Sequence, residues 1–397
     1  MIKITFTGDV MCEHTRLDQY CKNGAYDFTP IFTDVKPIFE NSDYVITNLE
    51  TPLAGKSLRY SERNYSFNTP DEMATALKAV GVDMVTTANN HVLDRGIAGL
   101  ERTLDVLDAA GMSHIGSYRL SEQPKPFLVT IGGIRVAFLS YTYGTEACYN
   151  KHYLKKEQFH MVNLTRNQEL SNPIKRYFLL HKSLPAKAFR LLFRTAFPAW
   201  ARISASERKE EDKAQKEHLS MDIQRCKKAA ADYVVMCLHC GGQFNDGPTE
   251  YTKNMVEFCL ANGVDAVIAN HEHRIQGTRF TENQVVTYCL GNFTSDYGIS
   301  RKPMDKHAEY SALFHLYLDK GESIRAKYSV TFVKSHLNKE GIVVTTPISR
   351  LYDLCDDENQ KEALMKDNLW CLNTFFCLSL REAPMQEEYA AEEFLPH

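Results

Sequence analysis

The chain has 397 residues, of which 44% are hydrophobic and 24% are charged. These values are ordinary for globular proteins, so wholesale disorder, collagen and coiled coil are excluded, and the length favours two or three domains. Lysine and arginine total 46 against 50 aspartates and glutamates, which gives a formal net charge of −4. Such a balance does not predict nucleic acid or an anionic membrane as a required partner.

The cysteines and the N-terminal sequence predict a cytoplasmic protein. Most of the eleven cysteines stand singly, several within apolar runs, as is typical of reduced thiols in the cytosol. The opening sequence MIKITFTGDV lacks the basic and apolar regions of a signal peptide. No apolar stretch approaches the roughly 18 residues that a transmembrane helix needs.

Short β-branched runs alternate with helical patterns over the first 145 residues. Strands are predicted at residues 2–7, 44–47 and 84–87, and a hairpin at 127–131 and 134–141 around Gly132-Gly133. Helices are predicted at 70–80, with a capped start at Pro70-Asp71-Glu72, and at 99–110, with Gly111 as the C-terminal cap. This alternation is typical of an α/β domain.

Residues 163–209 interrupt the alternation. They combine a basic, aromatic stretch with the charge run ERKEEDKAQKE, which predicts a helical insertion on the main domain. Two interpretations remain open: the aromatic face packs on that domain, or the segment lies on a membrane surface or a docking partner. The apolar candidates for docking are Leu179, Leu180, Leu184, Leu191 and Phe193.

Beyond the insertion, helices at 221–230 and 252–261 lead into strands at 233–238 and 266–269. A pair of strands is predicted around 285–290, and antiparallel strands at 310–318, 324–333 and 342–346. The tail from residue 348 is predicted to be helical, with a frayed acidic end. The resulting hypothesis is a main domain over 1–320 and a C-terminal part over 321–397 that packs on it.

Polar residues follow the C-terminal ends of five predicted strands. They are Gly8-Asp9, Asn48-Leu49-Glu50, Asn89-Asn90-His91, His239 with Cys240-Gly241-Gly242, and Asn270-His271-Glu272-His273. In open α/β sheets this edge binds ligands, so the clusters are expected along one edge of one sheet. Aspartate, glutamate, asparagine and several histidines are the ligand set of a pair of divalent transition metals.

Each cluster taken alone also has a structural interpretation. Gly8-Asp9 could be a turn, Asp94 a helix cap, and His239 a core histidine. His271 and His273 are more specific, because alternate residues of an extended segment point the same way and could contact two neighbouring ions. Two ions about 3.5–4 Å apart need a bridging carboxylate, and they activate water to attack phosphorus. The combination of clusters favours this chemistry.

The segments GDV, NLE, TTANNHVLDRGIAGLERTLDVLDAAG, histidine-x-Gly, NHEH and YCLGNF resemble the CapA family. These poly-gamma-glutamate capsule synthesis proteins belong to the calcineurin-like metallophosphoesterase superfamily. The resemblance covers about residues 2–296, interrupted by the insertion. It implies a four-layer α-β-β-α sandwich with two mixed sheets face to face, whereas the predicted strand order is equally compatible with one doubly wound sheet.

The resemblance also implies a role for each site residue. Asp9 and His273 would bind the first metal, and Glu50 would bridge both metals. The second metal would be held by Asn90, His239 and His271. His91 would not be a ligand but would act beside the leaving group, as an acid or as an electrostatic stabiliser. The cofactors would be two divalent transition metal ions, with Mn²⁺, Fe²⁺ and Zn²⁺ all suited to these ligands.

The chain departs from the superfamily pattern at several positions. Met11 stands where the Asp-x-His motif has its histidine, and Cys240 replaces the tryptophan of His-Trp-Gly. The usual Gly-His-His-Pro-His run is Ala269-Asn270-His271-Glu272-His273 here, which keeps both presumed ligands. His14 stands where an arginine is common, so the substrate contact is left open, and His14 is itself a candidate spare ligand.

Three functions follow from these observations. The first is a binuclear metal-dependent hydrolase in which metal-activated water attacks a phosphoester. The second is a non-hydrolytic accessory protein in the synthesis or export of an anionic polymer such as poly-gamma-glutamate, in peripheral contact with membrane-bound synthesis machinery. The third is a binding module for a phosphate-bearing ligand.

Overall fold

A computed structural model of the chain describes residues 1–62, 65–166, 168, 198–281, 284–294 and 307–394. Its strands are β1 (Ile2–Val10), β2 (Cys21–Lys22), β3 (Ala25–Tyr26), β4 (Tyr44–Leu49), β5 (Met84–Thr86), β6 (Ser113–Ile115), β7 (Phe127–Ile131), β8 (Ile134–Thr142), β9 (Tyr233–His239), β10 (Ala266–Asn270), β11 (Thr278–Phe280), β12 (Val285–Thr287), β13 (Asn292–Thr294), β14 (Tyr310–Lys320), β15 (Ile324–Leu337), β16 (Val343–Pro347) and β17 (Tyr389–Ala390).

The α-helices of the described residues are α1 (Thr29–Phe32), α2 (Lys36–Glu40), α3 (Glu72–Val80), α4 (Gly96–Ala109), α5 (Ala147–Asn150), α6 (Pro198–Lys228), α7 (Glu250–Ala261), α8 (Ile348–Asp353) and α9 (Glu358–Phe375). None of these helices has the length and apolar character that crossing a bilayer requires. Most of the predicted insertion at 163–209, including its five docking candidates, lies outside the described residues.

The strands form two mixed sheets and a short hairpin of β2 and β3. In the described part of the chain, the larger sheet has the order β16-β15-β14-β1-β4-β5-β6, with β13 beside β1 and β17 beside β15. The smaller sheet has the order β11-β12-β10-β9-β8-β7. Parallel neighbours β1, β4 and β5 form the centre of the larger sheet, and parallel neighbours β8, β9 and β10 form that of the smaller one.

The two sheets face each other across an apolar layer. Phe6 of β1 lies 6.3 Å from Phe138 of β8, measured between ring centroids, and Ile4 and Val235 belong to the same core. Because both faces of β9 are covered, its sequence YVVMCLH is a nearly continuous apolar run. In β1 apolar residues alternate with polar ones, and Ile4 and Phe6 face the other sheet. The interior of the protein is therefore the space between the sheets.

Helices cover the outer faces of both sheets. Leu100, Leu104 and Leu107 share one face of α4 and pack in a core outside the larger sheet. Residues of α6 and α7, such as Ile223 and Val256, pack in a core outside the smaller sheet. The molecule is thus a four-layer α-β-β-α sandwich of the metallophosphoesterase type, as the sequence resemblance predicted.

The strands predicted at 2–7, 44–47, 84–87, 233–238 and 266–269 are present, with ends that differ by no more than three residues. The Gly132-Gly133 hairpin and the antiparallel strands after residue 310 are confirmed as well. The expectation that all the polar clusters share one edge of one sheet was wrong, because β9 and β10 belong to the second sheet. Local patterns predict strands but do not specify which strands pair.

Two local details of the structure differ from the predictions. Asp71 makes no side-chain cap for α3; its carboxylate binds both terminal nitrogens of Arg102 at 2.7 Å instead. The acidic tail is not frayed throughout, because Tyr389 and Ala390 pair with β15 and Tyr389 is buried. Segments after residue 320 also extend the larger sheet, since β15 pairs with the whole length of β14.

Gly8 has no room for a side chain. A Cβ atom there would lie 2.6 Å from the Ser311 hydroxyl and still closer to the Gly291 carbonyl oxygen. The same carbonyl accepts a hydrogen bond from the Asp9 amide at 2.9 Å. Glycine at this position therefore lets β1 lie close to Gly291, the residue that precedes β13. This close approach sets the position of Asp9.

We expect Gly8→Ala to lower the free energy of unfolding by about 3 kcal/mol, because backbone atoms must move to admit the methyl group. Chemical denaturation of the metal-free protein measures this change. Gly247→Ala is the matched control, since a Cβ there meets nothing within 4 Å, and its effect should stay within about 0.5 kcal/mol. Equal effects of the two substitutions would contradict the close approach at Gly8.

Candidate metal centre

The predicted site residues meet where the two sheets present the C-terminal ends of their parallel strands. Asp9 lies near the end of β1, Glu50 directly follows β4, and Asn90 with His91 follows β5. From the smaller sheet come His239, the last residue of β9, and the turn after β10 that carries His271 and His273. The centre is thus built from both sheets.

One cluster surrounds Nε2 of His239. This atom lies 2.6 Å from Oδ1 of Asn90, 3.1 Å from Nδ1 of His271 and 3.2 Å from Oε1 of Glu50. Ligand atoms of Glu50, His239 and His271 lie within 4.8 Å of one another, a spacing that could hold a metal ion. All four side chains supply donors that transition metals accept.

A second cluster lies around Nδ1 of His273. This nitrogen is 2.9 Å from Oδ1 of Asn292, 3.4 Å from Oδ2 of Asp9 and 3.9 Å from Oε2 of Glu50. Asp9, Glu50 and His273 form the second group with ligand atoms within 4.8 Å. Glu50 belongs to both groups and directs a different carboxylate oxygen towards each.

Burial makes the charges of this centre costly. The exposed fraction of each of the six predicted ligands is at most 3%. Burial, together with the charge of Asp9, raises the pKa of Glu50 well above its ordinary value. Burial also lowers the pKa of His239 to about 3 and that of His271 well below its ordinary value. Burial opposes ionisation of Asp9, but the neighbouring His273 and His239, together with the Asn48 amide, lower its pKa overall.

Several polar atoms of the centre have no hydrogen-bond partner among the residues that the structure describes, although they are fully buried. They are Oδ2 of Asp9, both carboxylate oxygens of Glu50, Nδ2 of Asn90 and Nε2 of His91. Buried polar groups are normally satisfied, and an unpaired carboxylate is especially costly. A divalent cation in each cluster would satisfy the carboxylates and would bind neutral imidazoles, so the donor set fits metal ions.

His91 lies beside the clusters and belongs to neither. Its Nδ1 is 2.8 Å from Oδ2 of Asp94, which also accepts a hydrogen bond from the Phe67 amide at 2.7 Å. The edge-on ring of Phe67 packs on the imidazole at a centroid distance of 4.5 Å. Asp94 therefore fixes the ring and leaves Nε2 as its free nitrogen. The interpretation of Asp94 as a helix cap was wrong, because its carboxylate binds His91.

The turn after β10 explains how His271 and His273 reach different clusters. Both residues have positive φ angles, 123° and 58°, in a region that side chains other than glycine rarely adopt. The expectation of an extended segment with alternating side chains was therefore wrong. The unusual backbone aims the two imidazoles apart, and such strain is common at functional sites.

The departures from the superfamily pattern have structural consequences. Met11 is buried in a small apolar group with Phe67 and Ala308, so the missing histidine is replaced by an apolar wall. His14 lies in neither metal-binding group of the described residues. Glu272, between the two predicted histidine ligands, is fully buried, and neither of its carboxylate oxygens has a hydrogen-bond partner in the described part of the chain.

Two asparagines near the ligands were not assigned roles from the sequence. Asn48 donates a hydrogen bond to Oδ1 of Asp9 at 2.7 Å, which leaves Oδ2 for the cluster. Asn292 donates to the Ala308 carbonyl at 3.0 Å and turns its own oxygen towards His273. Both lie inside the motifs NLE and YCLGNF, so their place in a motif was the only signal in the sequence.

Comparison with known proteins gives the same family as the motifs. The family model for the bacterial capsule synthesis protein PGA_cap matches residues 3–297. The capsule biosynthesis protein CapA of Bacillus anthracis is 24% identical over 306 residues, which cover 76% of this chain and 61% of the relative. This chain therefore spans less than two thirds of that relative.

Two further relatives are similar to most of the chain. The PGA biosynthesis protein CapA of Bacillus subtilis (strain 168) is 24% identical over 339 residues, covering 85% of this chain and 72% of the relative. An uncharacterised protein of Sinorhizobium fredii is 25% identical over 322 residues, covering 73% and 65%. Since the family model spans most of the length, the chain belongs to the PGA_cap family of bacterial capsule synthesis proteins.

Proposed function

We propose that the chain is a binuclear metal-dependent phosphoesterase. The observation that carries this proposal is the carboxylate of Glu50, whose two unpaired oxygens face two different groups of donors. A bridging carboxylate with imidazole, amide and carboxylate ligands on either side is the arrangement that two-metal hydrolases use.

Each side chain has a defined task in this proposal. Asp9 and His273 would hold the first ion, and Asn90, His239 and His271 the second, with Glu50 between them. The ions would be Mn²⁺, Fe²⁺ or Zn²⁺, which these donors accept alike. When bound, such a pair supplies an activated water and neutralises charge on the phosphoryl group.

His91 would complete the reaction as a proton donor. Asp94 holds Nδ1 at 2.8 Å, so the proton available for transfer lies on Nε2, the nitrogen without a partner. A positioned imidazole typically contributes a factor of about 10² to 10⁴ through general acid catalysis. It would protonate the leaving oxygen of the ester and would stabilise the charge that develops there.

The relatives favour a second candidate function. Two of them carry names in capsule or PGA biosynthesis, which supports an accessory role in making or exporting an anionic polymer such as poly-gamma-glutamate. In that role the metal centre would bind a phosphate-bearing or anionic ligand without turnover. Contact with membrane-bound synthesis machinery would be part of the same proposal.

Metal loading followed by turnover assays separates these functions. The purified chain would be loaded with Mn²⁺, Zn²⁺ or, anaerobically, Fe²⁺, and its metal content measured after desalting. We expect about two ions per chain and hydrolysis of at least one phosphomonoester or phosphodiester. Bound metal without turnover of any ester would favour the accessory role. Absence of bound metal under all three conditions would refute the proposed hydrolase.

A further inference from the structure

Arg166 lies beside the metal centre, at the first described residues of the predicted insertion. The backbone there follows the end of β8: Leu164 forms a β-bridge with Thr142, and the Thr165 amide donates to the Thr142 carbonyl at 2.9 Å. Thr142 is also the strand partner of the ligand His239. The chain path therefore brings Arg166 to the edge of the sheet that carries the site.

Two tyrosine rings hold the guanidinium group. Its central carbon lies 5.1 Å from the ring centroid of Tyr143 and 5.2 Å from that of Tyr251. Nε donates to the Tyr143 carbonyl at 2.9 Å, and the Tyr251 hydroxyl lies 2.9 Å from the Thr165 hydroxyl. Arginine between aromatic faces is stabilised by cation–π attraction, and its planar group keeps one orientation.

The positive charge of Arg166 is not neutralised by the part of the protein that the structure describes. No carboxylate there lies within 4.0 Å of the guanidinium nitrogens, and the two terminal nitrogens donate no hydrogen bond to a described residue. The neighbouring acid, Glu146, accepts a hydrogen bond from the Tyr143 hydroxyl at 3.0 Å instead. An oriented arginine fork without a partner is suited to bind carboxylate or phosphate through two hydrogen bonds.

Tyr143 also connects Arg166 to the metal centre. Its ring lies 4.8 Å from that of His271, measured between centroids. The guanidinium carbon therefore lies at most about 10 Å from the centre of the His271 ring, the sum of the two centroid distances. A ligand bound at the metal centre could reach Arg166 with a second group a few bonds away.

We propose that Arg166, held by Tyr143 and Tyr251, binds a second anionic group of the substrate, a carboxylate or a phosphate distinct from the phosphoryl group at the metal centre. The substrate class is then a phosphoester whose organic part is itself negatively charged. This inference rests on the proposed function, because only an enzyme has a substrate. The anion site itself can be tested by binding alone.

Binding of phosphonates tests the proposal without turnover, because their phosphorus–carbon bond is not a phosphoester. The metal-loaded protein would be titrated calorimetrically with 3-phosphonopropionate and 6-phosphonohexanoate, and with the matched propylphosphonate and hexylphosphonate. We expect at least one of the two carboxylate-bearing compounds to bind about tenfold or more tightly than its matched alkylphosphonate, as a charge-assisted hydrogen bond predicts. In Arg166→Gln this advantage should fall below about twofold, with binding of the alkylphosphonates unchanged.

Two further variants control the measurement. Arg135→Gln, at the exposed opposite end of β8, should keep the full advantage. Arg166→Lys keeps the charge but not the planar fork and should lose part of it, at least about threefold. If thermal unfolding shows that Arg166→Gln does not fold, the affinity ratios of the wild type and Arg166→Lys are compared instead.

The other outcomes overturn the proposal. An equal loss for both members of a matched pair would mean that Arg166 binds the phosphoryl group itself. An unchanged ratio, or no binding of any phosphonate by the wild type, would mean that no second anion site exists there. Absence of ester hydrolysis with the ratio retained in the wild type and lost in Arg166→Gln would refute the hydrolase and leave the anion site standing.

Discussion

The paired substitution of His271→Ala with His273→Ala is expected to abolish both metal binding and phosphoester hydrolysis. Each histidine supplies a nitrogen donor to a different cluster, so the pair removes one ligand from each side of Glu50. Loss of a partner that only supports a ligand already lowers metal affinity about 10- to 100-fold, so loss of the ligand itself should lower it by at least about 100-fold. Elemental analysis after desalting and ester hydrolysis measure the two effects.

The control for this experiment is His114→Ala with His160→Ala. Both histidines belong to neither metal-binding group of the described residues; they contact Asp108 and the Leu120 carbonyl. Metal content and hydrolysis should match the wild type in this control. Retention of about two ions per chain by the His271/His273 variant, with a native circular dichroism spectrum, would place the metal site elsewhere.

The sequence predicted which residues would come together, whereas it did not predict which strands pair. Asp9, Glu50, His239 and His271 each stand at or just after the end of a strand. Burial of both faces makes a strand such as β9 conspicuous in the sequence as an apolar run. Strand pairing depends on contacts between distant parts of the chain. A run such as β9 therefore carries no sign that it belongs to a second sheet, and only the family resemblance predicted the sandwich.

The side-chain contacts and backbone conformations around the candidate site could not be predicted from the sequence. His91 and Asp94 are three residues apart, a spacing that is also typical of helix caps, and only the closed turn shows that they bind each other. The positive φ angles of His271 and His273 have no sequence signal, because glycine is absent from these positions. Arg166 lies in the predicted insertion, whose basic residues were interpreted together from their composition, so no separate role was predicted for Arg166.

Replacement of His91 by alanine is expected to separate catalysis from metal binding. His91 contributes no atom to either metal-binding group, so the variant should keep the metal content of the wild type. Hydrolysis should nevertheless slow by about 10² to 10⁴ for an alkyl phosphate, because protonation of its poor leaving group would be lost. For an aryl phosphate with an acidic phenol the loss should be much smaller, since that leaving group departs without a proton.

Asp94→Asn provides the matched comparison for His91. The amide keeps the size of the carboxylate and can still accept a hydrogen bond from Nδ1 of His91, but it removes the negative charge that stabilises a protonated imidazole. The variant should show the same preference for the aryl ester as His91→Ala, with a smaller loss of rate. An equal loss for alkyl and aryl esters in His91→Ala would assign His91 to charge stabilisation at the phosphoryl group rather than to proton donation. Loss of metal from His91→Ala would instead show that His91 is a metal ligand. Removal of a residue that only donates a proton would leave both clusters complete.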